Sequence, residues 1–401
     1  MKTKKIFNDP IYGFTSIPDG IIYKVVEHPY FQRLRRISQL GLTSLVYSGA
    51  THNRFNHALG AFRLMQMAIL TLRGKDVEIS KEEEEAALLA ILLHDIGHGP
   101  FSHALEQTIL PFHHEELSIA FMKTLNDEFN GALDLTIEIF QGKYSRNFFH
   151  QLISSQLDVD RMDYLNRDSF YTGVHEGVIG YDRILQMINV VDDNLVIEEK
   201  GLYSVQKFLV ARNLMYRQAY LHKTSIAAEH MLIRALLRVK KLVSNGSIKL
   251  NNTVLSYFLQ LDSIKELDNK LLDQFSKLDD YDIWQVLKDF ARNCDDETLK
   301  SLAKGLIDRN IYKIIIQENE IPKEVLDELR QKICKGDSVK FTLIDDLCIT
   351  GSVRLDTYNT NSKEIMIYKK DGSLRPFSEV SNFSVSENSD ILIHYVCFQQ
   401  Y

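Results

Sequence analysis

The feature that most constrains this chain is a spacing of three and four between apolar residues, which recurs from residue 55 to residue 318. It is clearest in the first such segment, where one helical face carries Phe55, Leu59, Phe62, Met65, Ile69 and Leu72. The same pattern predicts further helices over 82–95, 114–129, 145–168, 204–243, 254–276, 281–292 and 296–318. We therefore expect a mainly α protein, because each amphipathic helix must bury its apolar face against another element.

Strand-like patterns occur in two other places. The run NVVDDNLVIEE at 189–199 interrupts the helical part. After a helix that Pro322 begins, the runs SVKFTLI, EIMIYKK and ILIHYVCF are rich in β-branched and aromatic residues, and Asp371-Gly372 suits a hairpin turn. These runs predict a small β-rich unit at the C-terminal end.

Composition and charge exclude several classes of protein. Hydrophobic residues make up 45% and charged residues 25% of the 401 residues, as in ordinary globular chains. The net charge of -7 argues against a general nucleic-acid binder. No segment approaches the roughly 18 apolar residues of a membrane span, and the N-terminus has no apolar leader. The four cysteines are widely spaced, so we expect buried free thiols and a cytoplasmic protein with no membrane partner.

The histidines are concentrated in one part of the chain, between His52 and His114. Within this part, His94 and Asp95 end a strongly apolar helix, where an ionised aspartate is costly unless a metal or hydrogen bonds stabilise it. Imidazole and carboxylate ligands together suit Mn, Fe, Ni or Zn. A structural role is the alternative for any single histidine, but the clustering favours a metal site.

Two further segments combine charge with aromatic rings. In DVDRMDYLNRD, helical spacing puts Asp160, Tyr164 and Asp168 on one face, with Arg161 beside them. In RNLMYRQAYLHK, the residues that align at helical spacing are Arg212, Tyr216, Tyr220 and Lys223. Cations interleaved with aromatic rings suit the phosphates and rings of a nucleotide. The alternatives are a surface helix with ion pairs for the first segment and an amphipathic helix with half-buried tyrosines for the second.

The motifs, in their order along the chain, resemble those of the HD-domain phosphohydrolases. The resemblance rests on NRFNHALG at 53–60, LLHDIGHGPFSH at 92–103, HHEELS at 113–118 and DVDRMDYLNRD at 158–168. Within that family the chain is most similar to deoxynucleoside triphosphate triphosphohydrolases, over residues 5–320. The resemblance implies an HD-domain helical bundle with peripheral helices and the small C-terminal β-rich unit. We accordingly predict a catalytic core at 1–190, a helical extension completing the nucleotide pocket at 191–334, and the β-rich unit at 335–401.

The resemblance also implies a role for individual side chains. It implies a divalent transition metal bound by His57, His94, Asp95 and Asp160. The implied catalytic group is His98, His103, Glu106 and His114, although relatives often have aspartate in place of the glutamate. The implied contacts to the substrate are Gln39 and Asp168 to the sugar hydroxyl, Arg54, Arg161 and Arg212 to the triphosphate, Tyr164 to the ribose, and Tyr220 to C2′.

The activity that the resemblance implies is hydrolysis of a deoxynucleoside triphosphate to deoxynucleoside and inorganic triphosphate, with Mg²⁺ accompanying the triphosphate. The same core could instead act on nucleoside monophosphates, cyclic nucleotides or cyclic oligonucleotides. A non-catalytic nucleotide sensor or nucleic-acid-binding regulator is the third alternative, and the acidic charge counts against nucleic acid. Relatives form oligomers, so we expect a homo-oligomer, dimer or tetramer, in which a nucleotide activator could bind.

Overall fold

The computed structural model describes residues 3–106, 108–251, 253–261, 266–334, 343–354, 358, 364–381 and 392–400. Within these ranges the α-helices are α1 (Ile21–Glu27), α2 (Pro29–Gln32), α3 (Arg54–Arg73), α4 (Lys81–Leu93), α5 (His114–Glu128), α6 (Asp134–Phe140), α7 (Phe148–Ile153), α8 (Val159–Thr172), α9 (Tyr181–Met187), α10 (Leu202–Met215), α11 (Lys223–Ser244), α12 (Thr253–Leu259), α13 (Asn269–Phe275), α14 (Asp280–Asn293), α15 (Glu297–Ile307), α16 (Lys323–Cys334), α17 (Ile344–Leu347) and α18 (Phe377–Val380). The strands are β1 (Thr3–Asp9), β2 (Gly13–Pro18), β3 (Ile188–Val191), β4 (Asn194–Glu198), β5 (Lys313–Gln317), β6 (Cys348–Arg354), β7 (Met366–Tyr368), β8 (Leu374–Pro376) and β9 (Leu392–Phe398). The prediction of a mainly α protein is confirmed.

The centre of the fold is α4, which packs against α3, while α3 also packs against α8. Every residue of α4 from Ala86 to Leu93 is buried, as expected of a helix that is apolar on all sides. Both α3 and α4 begin at a capping box, made by Asn53 with Asn56 and by Ser80 with Glu83. The apolar helix α4 therefore directs its C-terminal end, where His94 follows, into the interior.

Two of the helices predicted as continuous are interrupted. The predicted helix over 145–168 is divided into α7 and α8, because the Asp158 side chain caps α8 by accepting from the N–H of Arg161 at 2.7 Å. The predicted helix over 204–243 is divided into α10, a π-helix at Tyr216–Tyr220, and α11. There His222 caps α11 by accepting from the N–H of Thr224 at 3.2 Å. Helical periodicity continued across these caps, so it did not reveal them.

The predicted helix over 296–318 was wrong in its second half. The helix α15 ends at Ile307, Arg309 adopts a left-handed conformation with φ of 58°, and the following residues form β5. This strand pairs antiparallel with β9, with Ile315 opposite Val396. A strand partner from the C-terminal end thus outweighed the local helical pattern. The predicted helix over 254–276 corresponds to α12 and α13, and residues 262–265 between them lie outside the described ranges.

The C-terminal β-rich unit is confirmed, and both of its sheets include strands from earlier in the chain. One sheet has the order β5-β9-β6, and the other has the order β3-β4-β7-β8, with β4 and β7 parallel. The predicted turn at Asp371-Gly372 joins β7 to β8, and Gly372 has a φ of 83° there. The predicted strand SVKFTLI lies mostly in 335–342, outside the described residues.

All four cysteines are free and buried, as the sequence predicted. In the described part of the chain, none of the helices has the length and apolar character needed to cross a bilayer.

Candidate active site

Two histidines and an aspartate from three helical segments meet in the interior. The Nε2 atoms of His57, in α3, and His94, after α4, lie 3.3 Å apart. Asp160, in the first turn of α8, brings Oδ1 within 3.0 Å of the first nitrogen and 3.3 Å of the second. The structure thus joins predicted ligands that are separated by more than a hundred residues in the sequence.

The orientation of His57 is fixed by residues that the sequence analysis did not single out. Its Nδ1 donates to Asp163 Oδ2 at 2.7 Å. Asp163 also accepts from Arg167 through both carboxylate oxygens, each at 2.9 Å, and Arg167 pairs with Asp9 at 2.9 Å. All four side chains are buried. The signal for Asp163 was its position one helical turn after Asp160, since a histidine ligand commonly donates its second nitrogen to a carboxylate.

The donor atoms of this group fit a divalent metal. The Nδ1 of His94 donates to the Ile91 carbonyl at 2.7 Å, so both histidines are held with Nε2 towards Asp160. Unprotonated Nε2 atoms would direct their lone pairs at each other and at a carboxylate, an arrangement that a cation stabilises. Burial alone lowers the pKa of His57, but hydrogen bonds with Asp160 and Asp163 outweigh it and raise the pKa to about 10. Two imidazoles and a carboxylate suit Mn, Fe, Ni or Zn.

Asp95, the fourth predicted ligand, lies at the edge of this group. Its carboxylate is 3.5 Å from His57 Nε2 and 3.4 Å from His94 Nε2. Its closest partner is Arg54, whose Nη1 donates to Asp95 Oδ2. Burial raises the pKa of Asp95, but Arg54 and then His94 outweigh burial and hold the pKa well below its usual range. Asp95 is therefore ionised and is positioned between the arginine and the histidines.

A second group of histidines adjoins the first. The nitrogens of His98, His103 and His114 lie within 4.8 Å of one another. Glu106 joins two of them, because its carboxylate accepts from the Nδ1 of His103 at 2.9 Å and from the Nδ1 of His114 at 2.9 Å. Burial raises the pKa of Glu106, and these hydrogen bonds reverse the effect and lower it well below its usual range. The carboxylate thus holds both imidazoles in the tautomer that carries the proton on Nδ1.

The loop that presents these histidines adopts an unfavourable backbone conformation. Phe101 and Ser102 have φ values of 56° and 55°, which cost about 1–3 kcal/mol each in residues other than glycine. Asp280, at the start of α14, holds them by accepting from the N–H of Phe101 at 2.7 Å and from the N–H of Ser38 at 2.9 Å. The Ser102 hydroxyl donates to the Ser38 carbonyl at 2.6 Å. These contacts show why a distant aspartate belongs to the site.

A cavity of about 360 Å³ opens beside both groups. It is lined by most of the predicted site residues: Gln39, Arg54, Asp95, His98, His103, His114, Asp160, Arg161, Tyr164, Asp168 and Tyr220. Its remaining wall includes Gly41, Ala104, Tyr216 and Glu229. The cavity is large enough for a ligand of nucleotide size.

Asp168 is the centre of a second set of contacts in this cavity. The Tyr220 hydroxyl donates to Asp168 Oδ2 at 2.8 Å, and His52 Nε2 lies 2.7 Å from Asp168 Oδ1. The rings of Tyr164 and Tyr220 are 6.2 Å apart and nearly perpendicular. His52 was not predicted to belong to the site, although it lies in the histidine-rich part of the sequence. The carboxylate and the two phenol rings therefore have fixed orientations before a ligand binds.

The other predicted residues lie behind the cavity wall. His57 and His94 lie in the buried group of donors, and Glu106 lies behind the histidines that it joins. Arg212 is 2% exposed, with NH1 3.5 Å from Gln156 Oε1, and is not among the lining residues. A π-helix follows α10, so Arg212 and Tyr220 do not lie on one continuous α-helix as predicted, although Tyr164 is a neighbour of both residues.

Two histidines and an aspartate that could hold a divalent metal within a helical bundle, with His94 directly followed by Asp95, are typical of an HD domain. A model of the HD domain matches residues 54–168, and a model of the HD associated region matches residues 179–257. The chain belongs to the family of HD-domain phosphohydrolases.

Several known proteins are similar to this chain over most of its length. The uncharacterized protein YwfO of Bacillus subtilis is 33% identical over 323 residues, which cover 79% of this chain and 72% of the relative. A protein of Dictyostelium discoideum, named a deoxynucleoside triphosphate triphosphohydrolase SAMHD1 homolog, is 28% identical over 83% of this chain and 65% of its own length. The crystal structure of a phosphohydrolase from Bacteroides thetaiotaomicron is 45% identical, with a TM-score of 0.94, over 99% of this chain and 100% of that chain.

Proposed function

We propose that this HD-domain phosphohydrolase is a deoxynucleoside triphosphate triphosphohydrolase, which cleaves its substrate at the α-phosphorus. The observation that carries the proposal is the hydrogen bond from Tyr220 to Asp168 in a cavity that is also lined by two arginines and by Asp95 and Asp160. The similarity to the Dictyostelium triphosphohydrolase homolog adds support.

The metal would be held by His57, His94, Asp95 and Asp160. When bound, a divalent metal supplies Lewis-acid chemistry, because it polarises a phosphoryl oxygen and makes water a stronger nucleophile near neutral pH. Asp95 would exchange part of its contact with Arg54 for the metal. The chain's own contribution is to hold the imidazoles in position through Asp163 and the Ile91 carbonyl.

Arg54 and Arg161, which lie next to the proposed metal ligands, would bind the triphosphate. Arg54 contacts Asp95, and Arg161 donates from Nε to the Ser155 carbonyl at 2.7 Å, so neither guanidinium is free to rotate. Both line the cavity beside Asp160. Fixed cations offset the charge on the phosphates and the charge that develops in the transition state. The role proposed for Arg212 remains the prediction from the resemblance.

The leaving 5′-oxygen needs a proton, and the joined histidines can supply one. Because Glu106 accepts from Nδ1 of His103 and His114, Nε2 is the nitrogen that each ring can offer to the cavity, which both residues line. Histidine is the most common general acid in enzymes, and a carboxylate that accepts from one ring nitrogen fixes the orientation of the other. Glutamate therefore replaces the aspartate that relatives often have and still reaches both histidines.

The sugar would lie against Tyr220 and Asp168. The Tyr220 hydroxyl already donates to Asp168, so a ribose 2′-hydroxyl placed there would be buried without a partner. An unsatisfied buried hydroxyl costs on the order of 1–3 kcal/mol, and steric contact with the phenol ring adds to the cost. Preference for deoxyribose over ribose should therefore be about tenfold or greater.

A product analysis tests the proposal. The protein is incubated with each dNTP, NTP, monophosphate and cyclic nucleotide in the presence of Mn²⁺ or Mg²⁺, and the products are separated by chromatography. Release of inorganic triphosphate from a dNTP is expected, and the double variant His94→Ala, Asp95→Ala should release none. Orthophosphate or pyrophosphate as the product, or activity confined to cyclic or monophosphate substrates, would contradict the proposal. The predicted homo-oligomer and nucleotide activator stay predictions, which light scattering with and without nucleotide would test.

A further inference from the structure

One carboxyl group in the cavity has no role in the reaction described above. Glu229, on α11, lines the cavity on the side of Gly41 and Ala104. Its Oε1 lies 3.4 Å from the position that a Cβ at Gly41 would occupy, and that position is 3.1 Å from the Phe101 carbonyl oxygen. Within the described part of the chain, the Glu229 carboxyl forms no hydrogen bond or ion pair. Desolvation by burial, with no compensating partner, raises the pKa of Glu229 to about 7.

The Glu229 side chain is partly buried and lines the cavity, so a ligand that displaces water from its carboxyl must supply hydrogen-bond donors in place of the water. Glutamate is acceptor-only when ionised, and its two oxygens accept two parallel hydrogen bonds from adjacent N–H groups. Among the described residues, no protein group donates a hydrogen bond to the Glu229 carboxyl. A ligand with two adjacent N–H groups would therefore complement the carboxyl.

The contacts along the cavity limit which part of a nucleotide can reach Glu229. The triphosphate belongs with Arg54 and Arg161, and a carboxylate would repel it. The sugar belongs with the bonded pair Asp168 and Tyr220. The base is then the only part of the nucleotide left for the wall of Gly41, Ala104, Tyr216 and Glu229.

We propose that Glu229 selects guanine, by accepting hydrogen bonds from the N1–H and the exocyclic amino group of that base. The inference rests on the proposed function for the position of the triphosphate and sugar. Guanine presents two adjacent donors on its Watson–Crick edge. Adenine and cytosine present one donor beside one acceptor, and thymine presents one donor between two carbonyl oxygens, so each would leave an acceptor facing the carboxylate.

The expected preference for dGTP follows from the mismatch between the Glu229 carboxylate and the hydrogen-bonding edges of the other three bases. A site built around a buried hydrogen-bonding group rejects a ligand that leaves the group unpaired, whereas a purely apolar pocket discriminates weakly. We expect kcat/KM for dGTP to exceed the values for the other dNTPs by at least about tenfold. The Tyr216 ring, 5.1 Å from the Tyr220 ring, lies on the same wall and offers an aromatic surface that is indifferent to which base it contacts.

The test uses Glu229→Gln, which keeps the shape of the side chain but presents one donor and one acceptor. Steady-state kcat/KM is measured for all four dNTPs at pH 8, where the wild-type carboxyl is ionised. The amide matches adenine better than guanine, so the ratio of dGTP to dATP should fall by about tenfold or more. Glu324→Gln, at an exposed position on α16, is the matched control and should keep the wild-type ratio. The Glu229→Ala variant should have similar kcat/KM values for dGTP and dATP, because alanine offers neither a donor nor an acceptor to the base.

A binding measurement separates this inference from the proposed function. Calorimetric titration compares deoxyguanosine with deoxyadenosine, which carry no phosphate to cleave. If no dNTP releases triphosphate but deoxyguanosine binds more tightly in a Glu229-dependent way, the proposed function fails and the base contact stands. If all dNTPs are cleaved with equal kcat/KM, or if Glu229→Gln leaves the dGTP to dATP ratio unchanged, the guanine inference is overturned while the triphosphohydrolase proposal is kept. Equal binding of the two nucleosides would also overturn it.

Discussion

His57 donates from Nδ1 to Asp163 at 2.7 Å, and this contact determines which nitrogen of the imidazole faces Asp160. Asp163 is itself held by Arg167 through both oxygens. The proposed metal site therefore depends on a carboxylate that does not belong to it. The buried ion pair of Asp163 and Arg167, which lies behind His57, therefore fixes the orientation of the imidazole.

Replacement of this carboxylate should weaken metal binding. The Asp163→Asn variant loses the charge that favours the Nδ1-protonated tautomer of His57, so metal affinity should fall by roughly 10–100-fold. Titration with Mn²⁺ and elemental analysis after dialysis provide the measurement. Asp182→Asn, at an exposed position on α9, is the control and should bind as wild type does. Unchanged affinity in the folded Asp163→Asn protein would contradict the proposed dependence.

Gly60 should tolerate no side chain. A Cβ at this position of α3 would lie 2.0 Å from Asp163 Oδ1 and 2.1 Å from Arg167 NH2. Gly60→Ala must therefore displace the buried ion pair, and we expect the free energy of unfolding to fall by about 2 kcal/mol or more. Urea unfolding compares it with Gly180→Ala, where the nearest atoms to a Cβ are 4.0 Å away. Equal stability of the two variants would show that the ion pair can move without cost.

Tyr220 should control discrimination between sugars. Replacing it with alanine removes both the ring and the hydroxyl that donates to Asp168, which opens space for a 2′-hydroxyl. The ratio of kcat/KM for dNTP over the matching NTP should then fall by about tenfold. Tyr203→Ala, at a position 79% exposed on α10, should keep the wild-type ratio. An unchanged ratio in Tyr220→Ala would mean that another residue excludes ribose.

His230 should make the stability of the fold depend on pH. Its ring stacks on Tyr395 of β9 at 4.7 Å, and burial, with a smaller effect of Arg234, lowers the pKa of His230 to about 4. An unfolded histidine has a pKa near 6.5, so as the pH falls the unfolded state takes up the proton first. The folded state then loses about 2 kcal/mol between pH 7.5 and pH 5 from this group.

His230→Phe keeps the stacked ring and removes the titration. The free energy of unfolding is measured for both proteins at pH 7.5 and pH 5, and the decrease in the variant should be smaller by about 2 kcal/mol. The difference between the two proteins cancels the contribution of every other group that titrates in this range. Equal decreases would mean that His230 takes up its proton equally well in the folded state.

The local spacing of apolar residues was sufficient to predict many of the helices. Apolar spacing predicted α3, α4, α5 and α14 within a few residues, because in these segments one face is consistently apolar and the ends carry caps. It did not predict β5, whose residues Lys313–Gln317 form a strand because β9 lies beside them. A strand that depends on a partner some eighty residues later leaves little local signal.

The sequence by itself determined that the chain is mainly α, because helical spacing is a local property, and its resemblance to the HD-domain phosphohydrolases predicted His57, His94, Asp95 and Asp160 as metal ligands. Tertiary structure alone decided which side chains support them. Asp163, Asp280 and His52 reach the site through hydrogen bonds that span more than a hundred residues in the sequence. The cavity wall at Glu229 likewise exists only where α11 packs beside the loop that contains Phe101. Burial and partner geometry give these carboxylates their roles, and both arise only when distant helices pack.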